Sequence, residues 1–133
     1  MKRGRTVLQA KRLGIHSCSP DTSLVSAIRT IVDEEVSSLV VADDDGYLLG
    51  LISRVEILAA YLAMDDWASQ PVSAHMTTKV VVVTPQTLLR DAAQLMLDHR
   101  THQVVVVLEE DGRQRPVALV TDSDLAYHMV KGP

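Results

Sequence analysis

The sequence predicts an α/β (α+β) fold in which two β-α-β-β-α repeats pack by their small sheets into one pseudo-two-fold module. Three observations predict this fold. The 133 residues are enough for one compact domain. They are 47% hydrophobic and contain no phenylalanine, so the core must consist of aliphatic side chains and methionine. A 24-residue stretch that begins at Ser19 also recurs from Thr84 without a gap.

The repeat is defined by matched positions 65 residues apart. Copy one reads "SPDTSLVSAIRTIVDEEVSSLVVA" and copy two reads "TPQTLLRDAAQLMLDHRTHQVVVV". The match then continues from "DDDGYLLGLISRVEIL" to "EEDGRQRPVALVTDSDL" at an offset of 68, which pairs Ser53 with Thr121. We expect the three extra residues of copy two to lie in its turn, because insertions cost least in surface loops. Neither copy could bury enough surface alone to be stable, and two copies packed by their sheets could share one core.

Each copy begins with an extended segment, residues 15–18 in copy one and 80–83 in copy two. A Ser-Pro or Thr-Pro pair ends the segment, because the residue before proline avoids helical angles. Thr22 and Thr87 then stand where a helix N-cap belongs. Apolar residues follow at helical spacing and predict one amphipathic helix per copy. These residues are Leu24, Ala27, Ile28 and Ile31 in copy one, and Leu89, Ala92, Ala93 and Met96 in copy two.

A hairpin and a last helix complete each copy. The run from Val104 to Val107 has no polar alternation, which predicts a strand covered on both faces. An Asp-Gly turn and a second strand follow, and the last helix begins at the hydroxyl residue after that strand. In copy one these features are Asp45-Gly46, residues 48–52 and Ser53, and in copy two they are Asp111-Gly112, residues 117–120 and Thr121.

These elements divide the chain into four segments. A basic N-terminal arm and lead-in helix occupy residues 1–14, repeat one 15–60, a linker 61–75 and repeat two 76–130. Pro71 interrupts any helix in the linker, and a short helical lead-in to repeat two should start after it, at residues 72–76. The basic arm either is solvated or binds an anionic partner. Its charges are Lys2, Arg3, Arg5, Lys11 and Arg12.

The repeat resembles a tandem pair of CBS domains (cystathionine β-synthase-type domains, together a Bateman module). The resemblance covers residues 6–130 and is carried by "SPDTSL", "SSLVVADDDGYLLGLISRVEIL", "HMTTKVVVVTPQTLLRDAAQLM" and "ALVTDSDL". It implies a stand-alone regulatory module, not an enzyme. The implied regulatory ligand contains adenosine, as AMP, ADP, ATP and S-adenosylmethionine do, and no cofactor is obligatory. A homodimer and a regulated protein partner are also implied, and the alternative is a ligand-free dimerisation or interaction module with vestigial nucleotide sites.

In copy two, the resemblance assigns the ribose contacts to Thr121 and Asp124. A fixed carboxylate can accept hydrogen bonds from both hydroxyls of a vicinal diol. The site also opens at a helix N-terminus, where backbone N–H groups favour phosphate. The same Thr-x-x-Asp spacing fits a capping box, which is a purely structural role. Both roles stay open at this point.

Copy one carries Ser53, Arg54 and Glu56 at the corresponding positions. Glu56 is one methylene longer than the family's aspartate, and Ser-x-x-Glu is the better capping box, so this ribose site is the more vestigial one. The resemblance implies a phosphate-binding base at the position of Arg54. Copy two has Asp122 there, which would repel phosphate. We therefore expect copy two to suit ribose and copy one to suit phosphate.

The resemblance places adenine against the first strand and the start of the second. In copy two, the candidates with their neighbouring cation are Val81, Val83, His102, Gln103, Val104 and Arg100. In copy one they are His16, Cys18, Ser37, Ser38 and Leu39. Core packing is the alternative for the apolar side chains, and a buried inert thiol is the alternative for Cys18.

Composition excludes several other function classes. A net charge of −4 with 3% aromatic residues argues against a nucleic-acid partner. The single cysteine allows no internal disulfide, and neither a signal peptide nor a run of ~20 apolar residues is visible, so we expect a cytoplasmic protein without membrane contact. His99 and His102 lack further metal ligands. No nucleophile with a base is apparent, and no catalytic residue is predicted.

Overall fold

The structure is a computed structural model that describes residues 6–7 and 15–131. It divides into two compact units, one formed by His16–Lys79 and the other containing residues 80–131 with Thr6 and Val7. Copy one lies in the first unit and copy two in the second. The basic arm predicted from Lys2, Arg3, Arg5, Lys11 and Arg12 lies outside the described residues.

Each unit contains one three-stranded sheet and two α-helices, which confirms the predicted mixed fold. The sheet orders are β1-β2-β3 and β4-β5-β6, with a parallel first pair and an antiparallel hairpin. The elements of copy one are β1 (Ser17–Cys18), α1 (Leu24–Asp33), β2 (Ser38–Ala42), β3 (Leu48–Ser53) and α2 (Arg54–Ala63), followed by 3-10 turns at Trp67–Ser69 and Val72–Ala74. Those of copy two are β4 (Val82–Val83), α3 (Leu89–His99), β5 (Gln103–Glu110), β6 (Arg113–Thr121) and α4 (Asp122–Lys131).

The strand registers confirm the alignment of the two copies. Ser53 pairs with Ser38 in copy one, and Thr121 pairs with Gln103 in copy two. Each hairpin also contains a bulge at the same repeat position, after Val41 and after Val106. The offsets of 65 and 68 found in the sequence therefore describe equivalent places in the two sheets.

The three extra residues of copy two lengthen its strands, so the prediction that they lie in the turn is wrong. The strand β5 has 8 residues where β2 has 5, and β6 has 9 where β3 has 6. Asp111 and Gly112 form the tight turn, with φ angles of 53° and 76°. Two residues with positive φ give a hairpin turn whose twist matches that of the strands. The longer ladder thus pairs backbone groups that a longer loop would leave to water.

The predicted N-cap threonines lie one residue too early. Ser23 is the N-cap of α1, and its side chain accepts a hydrogen bond from Ser26 N–H, whereas Leu88 precedes α3 without a side-chain cap. Thr22 Oγ1 instead accepts from Ser19 N–H at 3.2 Å. The hydroxyl of Thr87 makes the equivalent bond to Thr84 N–H at 3.1 Å. Both threonines therefore close the Pro-containing turn before the helix.

The segment that precedes each copy in the sequence packs into the core of the other copy. Val72 precedes copy two but is buried in the core of copy one, where its N–H donates to Thr22 O at 2.8 Å. Val7 precedes copy one but is buried in the core of copy two, where its N–H donates to Thr87 O at 2.9 Å. The offset of 65 relates both pairs, so the repeat extends into the lead-ins.

Each unit has its own aliphatic core. The helix stripes supply Leu24, Ala27 and Ile31 to copy one, and Ala92 and Met96 to copy two. Val104–Val107 is buried at four consecutive positions, which confirms the predicted strand with two covered faces. These cores hold the strand ends from which the polar candidate residues project.

Candidate functional site

The end of β6 and the start of α4 form the copy-two mouth, which comprises Thr121, Asp122, Asp124 and the preceding loop residue His102. The Thr121 N–H donates to Asp124 Oδ2 at 2.9 Å, and the Thr121 hydroxyl donates to the same oxygen at 3.3 Å. In return, Asp124 N–H approaches Thr121 Oγ1 at 3.3 Å. These reciprocal bonds are those of a capping box, so the structural role considered for this pair is present.

Asp124 and Thr121 form a fixed and mostly buried pair at the copy-two mouth. A carboxylate has about four lone-pair sites, and the N–H and the hydroxyl of Thr121 both contact Asp124 Oδ2. Asp124 is only 3% exposed, and Thr121 is half-buried beside it. A fixed charge in such surroundings polarises its partners more strongly than one in water. The pair is therefore a preorganised acceptor and hydroxyl at a helix start.

Asp122 and His102 form a second pair at the copy-two mouth. Asp122 N–H donates to His102 O at 2.8 Å, and Asp122 Oδ2 lies 3.2 Å from His102 Nδ1. The two side chains are 59% and 89% exposed, so solvent reaches both of them. The carboxylate of Asp122 therefore contacts the imidazole of His102, which is a cation only when it is protonated.

The copy-one mouth comprises the equivalent residues Ser53, Arg54, Glu56 and Ser37. Ser53 N–H donates to Glu56 Oε1 at 2.8 Å, as the capping-box spacing predicts. Arg54 N–H donates to Ser37 O at 3.4 Å. The Arg54 side chain is exposed and forms no ion pair with the described residues. Copy one therefore offers a free guanidinium where copy two has a paired carboxylate.

The candidate adenine positions of copy two are divided between core and surface. Val83 and Val104 are buried in the copy-two core, and Val81 packs half-buried against it. Gln103 is half-buried opposite Thr121 in the ladder. Arg100 is exposed at the end of α3, where its φ of 52° reverses the chain. Core packing thus accounts for the two buried valines.

The copy-one candidates show the same division. Leu39 is part of the core and Ser38 is buried next to it. Cys18 pairs with Val41 as Val83 pairs with Val106, and its side chain packs against the copy-one core. Burial raises the pKa of the Cys18 thiol, and a hydrogen bond with Thr22 opposes this in part. A raised pKa keeps the thiol protonated and supports the inert interpretation.

The contact between His102 and Asp122 was missed by sequence reasoning, which considered each residue separately. The signal was available, because the pairing of Gln103 with Thr121 places their outer neighbours side by side. Extending the aligned ladder by one residue predicts the pair. The antiparallel register is thus more informative for this site than the local motif.

Within residues 6–7 and 15–131, no group of three or more His, Cys, Asp or Glu side chains is placed to hold a metal ion. The helices in this part of the chain are also too short or too polar to cross a bilayer. His99 and His102 are accordingly not joined by a third ligand among the described residues.

Comparison with known proteins shows similarity to one family over both repeats. The family model of the CBS domain matches residues 11–63 and 72–131. The chain is 26% identical over 112 residues to the transcriptional repressor CcpN of Bacillus subtilis, which covers 83% of the chain and 53% of the repressor. It is 32% identical over 111 residues to inosine-5′-monophosphate dehydrogenase of Halobacterium salinarum, covering 83% of the chain and 21% of the enzyme. The chain therefore spans only part of the length of both relatives.

A solved structure resembles the chain over nearly its whole length. The crystal structure of CBSX2 in complex with AMP has a TM-score of 0.80 and 26% sequence identity, and the match covers 96% of this chain and 98% of that one. CBSX2 is a chloroplastic CBS domain-containing protein of Arabidopsis thaliana. The similarity therefore extends over both repeats, and the structure of the similar protein contains an adenine nucleotide.

Proposed function

The chain belongs to the CBS-domain family, since the family model covers both repeats, and from this premise we propose that it is a regulatory CBS pair that binds an adenosine-containing nucleotide. The ligand class is that of AMP, ADP and ATP. The nucleotide acts as a regulatory ligand and not as a catalytic cofactor. The nucleotide changes the contacts of the chain with a second copy or a protein partner. The size of this change is limited by how much more tightly the nucleotide binds one of two conformations of the chain than the other.

One observation carries the proposal. The Thr121 hydroxyl and the Asp124 carboxylate lie 3.3 Å apart at the copy-two mouth, fixed by the bond from Thr121 N–H to the same carboxylate. A ribose diol offers two donors to such a carboxylate, and charge-assisted hydrogen bonds are about twice as strong as neutral ones. The AMP complex of CBSX2, at 26% identity, supports the choice of ligand class.

The alternative is a ligand-free interaction module, and two observations favour it. The bonds that fix Asp124 already give it a complete role as a helix cap. In copy one, Glu56 replaces the aspartate and bonds Ser53 N–H. On this alternative the two mouths would remain only as capping boxes, and no adenosine compound would bind.

Calorimetry of the full chain with AMP, ADP, ATP and S-adenosylmethionine separates these two functions. We expect saturable binding of at least one of them. The matched control is 2′,3′-dideoxyadenosine compared with adenosine, because the dideoxy compound lacks both diol donors. Its affinity should be roughly tenfold to a hundredfold weaker, which corresponds to the loss of hydrogen bonds to a charged group. Absence of heat with every compound would instead favour the ligand-free module.

The exposed face of α2 supports the expected homodimer. Val55, Leu58 and Leu62 lie on the side of α2 opposite the buried Ile57 and Ala60, and Leu58 and Leu62 are 59% and 83% exposed. Their spacing of three and four residues is that of a helix-pairing seam. Because these three side chains are aliphatic, a second copy of the same face fits them better than a charged partner. We propose that a second copy occupies it.

A Leu58→Glu variant should therefore weaken self-association by about thirtyfold or more, since it places a charge at the centre of a small apolar contact. Sedimentation equilibrium of the parent chain and the variant measures this. Leu97→Glu is the matched control, because Leu97 is 75% exposed on α3 and lies outside the proposed contact. A parent chain that stays monomeric at every concentration, or an equally dimeric Leu58→Glu, would contradict this surface.

A further inference from the structure

The exposed face of α2 has charges of opposite sign at its two ends. Arg54 begins the helix and lies on the same side as Leu58, because residues four apart are neighbours on the surface of an α-helix. Asp65 follows the last helical residue, Ala63, by two positions. Both side chains are exposed. The apolar contact proposed for this face therefore has a cation at the start of α2 and an anion just beyond its end.

Neither of these two charges has a partner within the copy-one unit. In the part of the chain that the structure describes, the guanidinium of Arg54 and the carboxylate of Asp65 form no ion pair and no side-chain hydrogen bond. The neighbouring Asp66 differs, since its Oδ2 accepts a hydrogen bond from Gln70 Nε2 at 3.0 Å. Arg54 and Asp65 are therefore available for contact with a second copy.

Leu58 is the middle residue of the apolar seam, so it determines which residues meet when two α2 helices pack on each other. Arg54 and Leu62 each lie four residues from Leu58, about 6 Å along the helix axis. If the helices run antiparallel about a two-fold axis at Leu58, Arg54 of one copy lies beside Leu62 of the second copy. Asp65 of the second copy follows three residues later, within reach of the long arginine side chain. The two-fold axis repeats the contact, so two such ion pairs form.

A parallel arrangement of the two helices would bring like charges together instead. Arg54 of one copy would lie beside Arg54 of the second copy, and Asp65 beside Asp65. Like charges that face each other across an interface are unfavourable and select against that arrangement. The charges at the ends of α2 therefore distinguish two orientations that the aliphatic side chains alone would both allow.

We infer that two copies of the chain associate through antiparallel α2 helices, with Arg54 of each copy paired to Asp65 of the other. This inference rests on the homodimer contact proposed for Leu58, and it adds the orientation of that contact and the two residues that determine it. The ion pairs lie at the rim of the contact, where exposed charges contribute little affinity but set specificity. Burial of the aliphatic side chains between them supplies the affinity.

Sedimentation equilibrium of the full parent chain, Arg54→Glu, Asp65→Arg and the double variant tests this orientation. No nucleotide is added, because Arg54 is also the cation expected to hold phosphate at the copy-one mouth. Each single variant should weaken self-association by roughly tenfold, since it replaces two attractions by two repulsions. The double variant, and an equimolar mixture of the two single variants, should associate within about threefold of the parent chain, because opposite charges face each other again. Added salt should weaken the parent dimer by screening the attraction.

A matched control separates the local charge from the net charge. Arg90→Glu reverses a charge in the exposed first turn of α3, outside the proposed contact, and it should leave self-association nearly unchanged. Arg54→Glu places an acid at the start of α2 and Asp65→Arg places a base beyond its end, where the helix dipole favours each charge. Circular dichroism should therefore show the parent fold for both variants.

Two kinds of result would contradict the inference, and they differ in what else they refute. Single variants that dimerise as tightly as the parent chain, or a parent dimer that becomes tighter with added salt, would overturn the antiparallel pairing while the Leu58 contact stands. A parent chain that stays monomeric at every concentration would refute the contact and its orientation together. Neither result depends on nucleotide binding, which calorimetry measures separately.

Discussion

A Gly50→Ala variant is expected to lose about 1–3 kcal/mol of unfolding free energy, the usual cost of forcing an extra methyl group into a packed site. Gly50 is buried in β3, and a Cβ built there would clash with Thr77 O and lie 3.1 Å from Met76 Sδ. The thioether of Met76 can move, but the Thr77 carbonyl cannot. Leu51 N–H donates to that carbonyl, and Thr77 N–H donates to Leu51 O, both at 2.9 Å.

The repeat itself provides the control for this prediction. Ala118 occupies the position of Gly50 in copy two, because it pairs with Val106 as Gly50 pairs with Val41. Ala118→Gly removes a methyl group without any clash, and it should cost only about 0.5–1 kcal/mol. Urea unfolding of the three proteins measures the difference. A Gly50→Ala variant as stable as its parent would mean that residues 76–77 do not pack on β3 as the structure describes.

The order of the strands and helices could be predicted because the same sequence pattern occurs twice in the chain. A single segment such as "VVVV" is ambiguous between helix and strand, but the aligned copy with its Pro, Asp-Gly and hydroxyl positions fixes the same order in both. Copies that agree position by position also fix the register, since both offsets relate equivalent ladder pairs. The internal repeat is therefore the reason that the fold could be derived without a template.

The exchanged lead-in segments could not be predicted from local patterns. Val7 and Val72 contact helices that belong to the other copy in sequence order. Nothing in a short window indicates whether a lone valine before a repeat packs on the following copy or on the other one. The length of the copy-two hairpin could not be predicted from local patterns either, because added residues can extend a strand ladder as well as a loop.

The candidate site was only partly accessible to sequence reasoning. The motif predicted which residues meet at the start of α4, and the structure brings Thr121 and Asp124 together with bonds of 2.9 and 3.3 Å. Their use for ribose binding stays a prediction, because capping and ligand binding need the same residues at the same spacing. Burial likewise distinguishes Val83 and Val104 as core residues only once the sheet is folded.

The second large effect is expected at Asp124. An Asp124→Asn variant keeps the size of the side chain and an oxygen that can accept the Thr121 N–H bond, so the cap and the fold should persist. The variant removes the negative charge that would accept both ribose hydroxyls. Replacing charge-assisted hydrogen bonds by neutral ones should weaken the binding of an adenosine compound by roughly tenfold to a hundredfold.

Calorimetry of the parent chain, Asp124→Asn and Asp91→Asn tests the central claim most directly, with the adenosine compound that binds the parent most tightly. Asp91→Asn is the matched control, because it makes the same carboxylate-to-amide change on the exposed first turn of α3. We predict at least tenfold weaker binding for Asp124→Asn and unchanged binding for Asp91→Asn, with both variants folded by circular dichroism. Unchanged affinity in a folded Asp124→Asn would contradict ribose binding at the copy-two mouth.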